Sequence, residues 1–311
     1  MVAMNLSPGV SVNLNLLQAF LLVAEHLSFK KAAERISRSQ SAVSFQVKQL
    51  EEQLGVPLFN RTTRNVTLTP YGEILLKSVR QGVNELTLGF RKLREEVHGQ
   101  EGRVLLACSP TIAGTRLPAI LKLFETAHPG INVVLSEMPL IKMVDAIQSG
   151  DVDFGLGPVF PSSSDLHFEP VMSDPFTVLV PASYPIARQR KISLDDLAKL
   201  PILMSIKTSV TRQIFESSVK RSGISLITKY ECTQHQTLIA MVKAGLGIAI
   251  LPDTVASGLR SKSIRAIPLK DPKIARQIAL ITVRGQKLPP AATHLASLIR
   301  QQLAKVAHVP N

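Results

Sequence analysis

Apolar residues fall at helical spacing from Leu14 onward. Leu17, Phe20, Leu21 and Ala24 mark the inner face of a helix near Leu14–His26. Ser28 is placed to cap a short second helix, "FKKAAERI", with Phe29, Ala32, Ala33 and Ile36 inward. The stretch "SRSQSAVSFQVKQLEEQLG" is a third helix. Val43, Val47, Leu50 and Leu54 step by four, three and four, Ser39 is its N-cap and Gly55 its stop. The opposite face carries Ser41, Ser44, Phe45 and Lys48, which is small, hydroxylated and basic around one bare ring. Three short helices joined by tight turns in about forty residues make a helix-turn-helix candidate.

After Gly55 the segment "VPLFNRTTRNVTLTP" offers two short β-like pieces around residues 61–65, a small hairpin or wing. Thr69 then Pro70 is a cap followed by proline at the first helical position. The helix they open is long, about 70–98. Leu76, Val79, Val83, Leu86, Phe90, Leu93 and Val97 step alternately by 3 and 4, a heptad seam. With no partner helix of similar length nearby, the seam predicts pairing with a second copy of the chain through Val79, Val83, Leu86, Phe90 and Leu93. "GQEG" ends the helix and reads as a hinge.

From Arg103 the pattern becomes α/β. "RVLLACS" is a continuous apolar run, as in a parallel strand buried on both faces. A helix to about Ala127 follows, then strand "INVVLSEM", helix "LIKMVDAIQSG" and strand "DFGLG", a βαβαβ unit. A second set comprises "FTVLVP", "PILMS", helix "SVTRQIFESSVKRSG", strand "TKYECT", helix "QTLIAMVKAG" and strand "IAILP". Strand "RQIALITV" and a helix near Pro290–Val306 close the chain. The two sets read as two lobes of one ligand-binding unit, about 103–174 with 275–306, and about 175–274.

Composition narrows the function. The 311 residues suit about two domains, and 45% hydrophobic residues suit a real core. No apolar run is long enough for a membrane span. The first thirteen residues have no basic start and no long apolar core, so a disordered lead-in and a cytoplasmic protein are expected. Two cysteines, Cys108 and Cys232, make no disulfide framework. The net charge of +13 favours an acidic partner, nucleic acid first. Residues 1–100 contribute only +4 and residues 101–311 contribute +9, so charge alone does not locate that partner. No P-loop, G-x-S-x-G or Rossmann glycine pattern occurs, and the seven histidines form no metal spacing. No catalytic residue, metal or cofactor is therefore expected. A solute-binding protein would account for residues 103–306 but not for the first hundred.

The stretch "FLLVAEHLSFKKAAERISRSQSAVSFQVKQLEEQLGVPLFNRTTRNVTLTPYG" resembles the N-terminal region of LysR-type transcriptional regulators. "IQSGDVDFGLG" and "VKAGLGIAILP" look like later signatures of that family, and the resemblance spans roughly 14–306. It implies an α/β protein with a helical, winged helix-turn-helix DNA-binding domain at 14–69. A linker helix at 70–98 forms a dimer, and a two-lobed effector domain at 103–306 is like a type II periplasmic binding protein. It implies a homodimer or homotetramer acting on promoter DNA, with RNA polymerase as a further candidate partner.

In such a protein the outward face of the third helix suits a major groove. Gln40 can bond adenine in bidentate fashion, Ser41 and Ser44 allow close approach, and Lys48 can meet phosphate or guanine. Lys30, Lys31, Arg61 and Arg64 are expected backbone contacts. The family often has proline at the place of Ser41 and arginine at that of Phe45. Phe45 is left to meet a thymine methyl or sugar, or to pack on the wing. Three strand-to-helix junctions could line an effector cleft. These are Ser109 to Thr111, Ser205 to Thr208 with Lys207, and Thr233 to His235 with Gln234. By resemblance the first two line the primary effector site. A small anionic effector fits them, and apolar Leu140, where relatives often have a hydroxyl, points to an aromatic or partly apolar acid. Cys108 and Cys232, at strand ends near this cleft, leave a redox response as the alternative.

Overall fold

The computed structural model describes residues 3–7, 10–61, 66–98, 102–160, 165–259, 261–270 and 274–306. The chain forms two compact bodies that part near Leu93. Residues expected to be a disordered lead-in instead pair as a hairpin, β1 (Ala3–Ser7) with β2 (Val10–Asn13). Valines at alternate positions 10 and 12 favour extended backbone. α1 (Leu14–His26), α2 (Phe29–Arg35) and α3 (Gln40–Leu54) follow with the caps that their sequences announce. Ser28 accepts from Lys31 N at 3.3 Å and Ser39 from Ala42 N at 3.1 Å. Gly55 ends α3 at φ 70°, a left-handed conformation that costs glycine little.

β3 (Phe59–Arg61) and β4 (Val66–Leu68) form the wing, and α4 (Pro70–His98) leaves it. Side-chain bonds fix wing and helices together. Glu51 Oε1 of α3 accepts from Leu58 N and Phe59 N, at 2.8 and 3.2 Å. Thr69 Oγ1 donates to Pro57 O at 2.7 Å and accepts from Gly72 N at 3.0 Å, so one hydroxyl caps α4 and ties it to the wing. Phe59 brings its ring against Phe20 and Phe29 at 5.5 and 5.8 Å between centroids. The core beneath holds Leu16, Val23, Val43, Val47, Leu50 and Val79.

The second body is α/β. Its first half runs β5 (Arg103–Cys108), α5 (Pro110–Ala113), α6 (Leu117–Ala127), β6 (Asn132–Glu137), α7 (Leu140–Ser149) and β7 (Phe154–Pro158). Then come β8 (Leu166–Pro181), α8 (Leu194–Leu197), β9 (Ile202–Ser205), α9 (Val210–Arg221), β10 (Thr228–Cys232) and α10 (His235–Lys243). The last elements are β11 (Ile248–Pro252), α11 (Asp253–Ala256), β12 (Ile264–Pro268), β13 (Ala275–Val283) and α12 (Pro290–Val306). The sheet order is β10-β9-β11-β8-β13-β7-β5-β6, with β12 also on β8.

β8 is the strand that the two halves share. Leu166–Pro175 pairs with β13, and Phe176–Pro181 pairs with β11 and β12. Sequence pattern anticipates only its second part, "FTVLVP". Pro170 and Pro175 read as breakers, yet the first part of β8 has β13 alone as partner, and an open edge tolerates prolines. The single helix expected up to Ala127 is two, α5 and α6, separated around Gly114. α8, α11 and β12 are short additions. Each half-sheet is covered on both faces, by the α6–α12 and α7 clusters in one half and by the α9 and α10 clusters in the other. Val210 of α9 joins the α7 cluster beside Leu140 and Met143. Among the described residues no helix is long and apolar enough to cross a membrane.

The wing–α4 junction generates a prediction. A Cβ at Gly72 would collide with the carbonyl oxygen of Leu58 and the side chain of Leu68. Gly72→Ala should therefore cost the winged body about 1–3 kcal/mol. Chemical denaturation followed by far-UV circular dichroism checks this, and an unchanged midpoint would refute the close packing.

Candidate DNA interface and effector cleft

α3 shows an outward face of the composition expected of it. Gln40, Ser41 and Lys48 are exposed and Ser44 is half-buried, while Val43, Val47 and Leu50 are buried. The Ser39 and Ser41 hydroxyls lie 2.9 Å apart, so Ser41 is engaged at the cap. Phe45 is 66% exposed, so among the described residues it is not packed away against its own body. Lys48 Nζ lies 3.7 Å from Glu52 Oε1, its i,i+4 neighbour one turn along the same helix. Lys30 and Lys31 are exposed at the start of α2. Arg61 has its backbone in β3, opposite Val66. Arg64 lies outside the described residues.

The seam on α4 divides in two. Val79 is 8% exposed and belongs to the winged-body core, with Leu76 half-buried beside it. Beyond it Val83, Leu86, Phe90 and Leu93 are 43%, 51%, 64% and 60% exposed. The periodicity is therefore used twice along one helix: first inside the chain, then as a bare apolar stripe. The side chain of Val97 lies outside the described residues.

In the α/β body, Ser109 and Thr111 are buried at the start of α5. Thr111 Oγ1 accepts from Arg276 Nη2 at 2.9 Å. Arg276 was absent from the sequence-based site, and so was its partner Asp174. Both are 1% exposed, and Asp174 Oδ2 accepts from Arg276 Nε and Nη2 at 2.9 and 2.8 Å. Two opposite charges, near the start of "RQIALITV" and the end of "VMSDP", were visible, but only strand register makes them a pair. Ser109 Oγ and His235 Nε2 are buried and find no hydrogen-bond partner, which is costly unless something else satisfies them.

The remaining junction residues differ in placement. Ser205 is buried, and its carbonyl accepts from Arg212 Nη1 at 2.7 Å. Arg212 also meets Glu216 at 2.6 Å and Glu231 at 2.9 Å, so it is a buttress for this end of β9 and β10. Lys207, Thr208 and Gln234 are exposed, and Gln234 makes no side-chain cap.

Burial sets the electrostatics. Desolvation pulls the His235 pKa down to about 4, assisted by the charge of Arg276, so at neutral pH this ring is uncharged. It supplies a hydrogen-bonding nitrogen rather than a positive charge. Desolvation also lowers the Arg276 pKa, a shift that Asp174 opposes. Burial pushes the Cys108 thiol up to about 12. Such a thiol stays protonated and is a poor nucleophile. Cys232 Sγ donates to Met241 Sδ at 3.6 Å. Among the described residues no group of three or more His, Cys, Asp or Glu could hold a metal ion.

A winged helix-turn-helix, a long linker helix and a two-lobed α/β domain with buried polar groups at its strand ends define a ligand-responsive DNA-binding protein. Comparison with known proteins gives the family. The model of the bacterial regulatory helix-turn-helix protein, lysR family, matches residues 14–73, and that of the LysR substrate binding domain matches residues 98–304. The chain belongs to the LysR family of transcriptional regulators. It is 33% identical to the HTH-type transcriptional regulator YfeR of Shigella flexneri, over 94% of this chain and 95% of that one. It is 26% identical to the transcriptional dual regulator GltC of Bacillus subtilis, over 95% and 99%. In fold it is similar to a full-length OxyR variant of Pseudomonas aeruginosa, with TM-score 0.68, 21% identity and 94% of each chain covered. Full-length BenM is likewise similar, with TM-score 0.61, 25% identity and 96% and 100% covered.

Glu52 holds a negative charge beside Lys48 on the exposed face of α3. Glu52→Gln should therefore raise affinity for arbitrary duplex DNA roughly two- to fivefold and steepen its salt dependence. Fluorescence anisotropy over a salt series reads both, and unchanged binding would remove Lys48 from the interface. His235 gives a pH dependence. The unfolded chain takes its proton near pH 6.5 and the folded chain near 4, so the unfolded state binds more protons between those values. Stability should fall as pH drops through that window, by at most about 1.4 kcal/mol per pH unit from this group. His235→Gln should flatten that slope in urea titrations, and an equal slope in both proteins would refute the assignment.

Proposed function

We propose that this regulator's promoter binding is modulated by a small-molecule effector, an organic or aromatic acid, held between the lobes of residues 103–306. The observation that carries this reading is the pair of unsatisfied buried atoms, Ser109 Oγ and His235 Nε2, near Arg276. Each can bond an oxygen-bearing ligand, with His235 neutral and able to adopt either tautomer. Arg276 is already neutralised by Asp174, so a single carboxylate bound by neutral donors suits the site better than a dianion. Leu140, buried at the start of α7 with Met143, supports an apolar body on such an acid. Ser205, Lys207, Thr208 and Gln234 are the outer members of the proposed site. The redox alternative lacks comparable support, because Cys108 is buried with a raised pKa.

On the DNA side Gln40, Ser41, Ser44, Phe45 and Lys48 read the major groove, and Lys30, Lys31, Arg61 and Arg64 contact the backbone. The winged domain is 14–69 and the linker helix 70–98. Val83, Leu86, Phe90 and Leu93 pair two copies in the cytoplasm, either as a dimer or within a tetramer, and RNA polymerase is a further partner. An effector shifts the balance between two lobe arrangements, which requires different affinity for each.

A thermal-shift screen of the full chain against benzoate, salicylate, citrate and amino acids tests the effector reading. Ser109→Ala removes an unsatisfied hydroxyl, so it should leave the unliganded melting temperature unchanged or slightly higher. The same variant should abolish the shift given by a binding acid. A shift that survives in Ser109→Ala would move the ligand elsewhere, and no shift with any acid would remove the acid class.

A further inference from the structure

Arg276 faces Asp174 in the β13–β8 ladder, one register step from the Ala275–Pro175 pair where β8 passes from one half-sheet to the other. The ion pair leaves donors and acceptors over, and these reach both halves. Arg276 Nη2 donates to Thr111 Oγ1 at 2.9 Å, on α5 after β5. Nη1 donates to Thr211 Oγ1 at 3.0 Å, on α9 after β9. Asp174 accepts from Thr254 N at 3.0 Å and from Thr254 Oγ1 at 2.9 Å, on α11 after β11. Each threonine is the second residue of its helix. Three helix starts from two half-sheets thus end on one pair of charges.

A buried ion pair adds little net stability over apolar packing of equal volume, yet removing one member strands the other. Its contribution here is geometric, because the guanidinium is planar and holds its hydrogen-bond partners at set directions. We infer that Arg276 is a positioning residue that bridges Thr111 of one lobe to Thr211 of the other and so holds the cleft at one angle. A ligand that draws the α5 start toward itself takes Thr111 out of this bridge and frees the α9 side. That last step rests on the effector reading above, whereas the bridge itself stands without any ligand.

Hydrogen–deuterium exchange on the full-length protein, with no small molecule added, tests the bridge. Arg276→Met strands Asp174 and can prevent folding, so threonine variants carry the experiment. Thr211→Val should speed exchange of α5 and α6 amides in the opposite lobe by about tenfold, and Thr111→Val should do the same to α9. A bridge cut at either end is already cut, so the double variant should add nothing to either effect. Loosening confined to the mutated helix, or additive effects in the double variant, would overturn the inference. Because no ligand enters, a silent acid screen has no bearing on this result.

Discussion

A charge buried away from water must find an opposite charge and hydrogen bonds, or the structure around it gives way. Arg276 and Asp174 meet that demand for each other at the point where the two half-sheets join. Their surplus bonding capacity organises what lies around them. Thr111, Thr211 and Thr254 are aligned on the pair, and with them the starts of α5, α9 and α11. The nearby unsatisfied atoms, Ser109 Oγ and His235 Nε2, are left as the groups that the protein itself does not use. The neutrality of His235 follows from the same constraint, since burial beside a guanidinium disfavours a second positive charge.

The DNA-binding body solves a different problem with smaller means. A recognition helix must present a fixed face, yet α3 has only Val43, Val47 and Leu50 fully buried to hold it. Glu51 supplies the rest by bonding the backbone where the wing begins, and Thr69 locks the far side of the wing to α4. Glu51 and Thr69, the polar residues of the "LE..LG..LF" and "LT..G" stretches, are therefore structural, whereas Gln40, Phe45 and Lys48 stand exposed on the outward face. α4 carries the same period in two settings, with Val79 packed inside the body and Phe90 and Leu93 exposed further along.

Much of this was legible along the chain. α3 begins at its Ser39 cap and ends at Gly55, and α4 begins at Pro70 after Thr69, because each signal acts within one helical turn. The inward residues of α3 follow from spacing alone. Legibility fails where a residue's role depends on a partner far away. Val79 and Val83 are equivalent by period, and only packing separates one as core and the other as surface. Pro170 and Pro175 argue against a strand until the open edge of β8 excuses them.

The amino-acid sequence by itself determined the local elements, the winged and two-lobed organisation and the family, because period, caps and motif order are properties of neighbouring residues. Tertiary structure alone decided the buried centre of the α/β body. Arg276 lies 102 residues from Asp174 and 165 from Thr111, and strand register rather than spacing brings them within hydrogen-bond reach. It also decided that Phe45 stands exposed and that His235 is neutral. Burial and pairing are collective quantities, fixed only once the whole chain has packed.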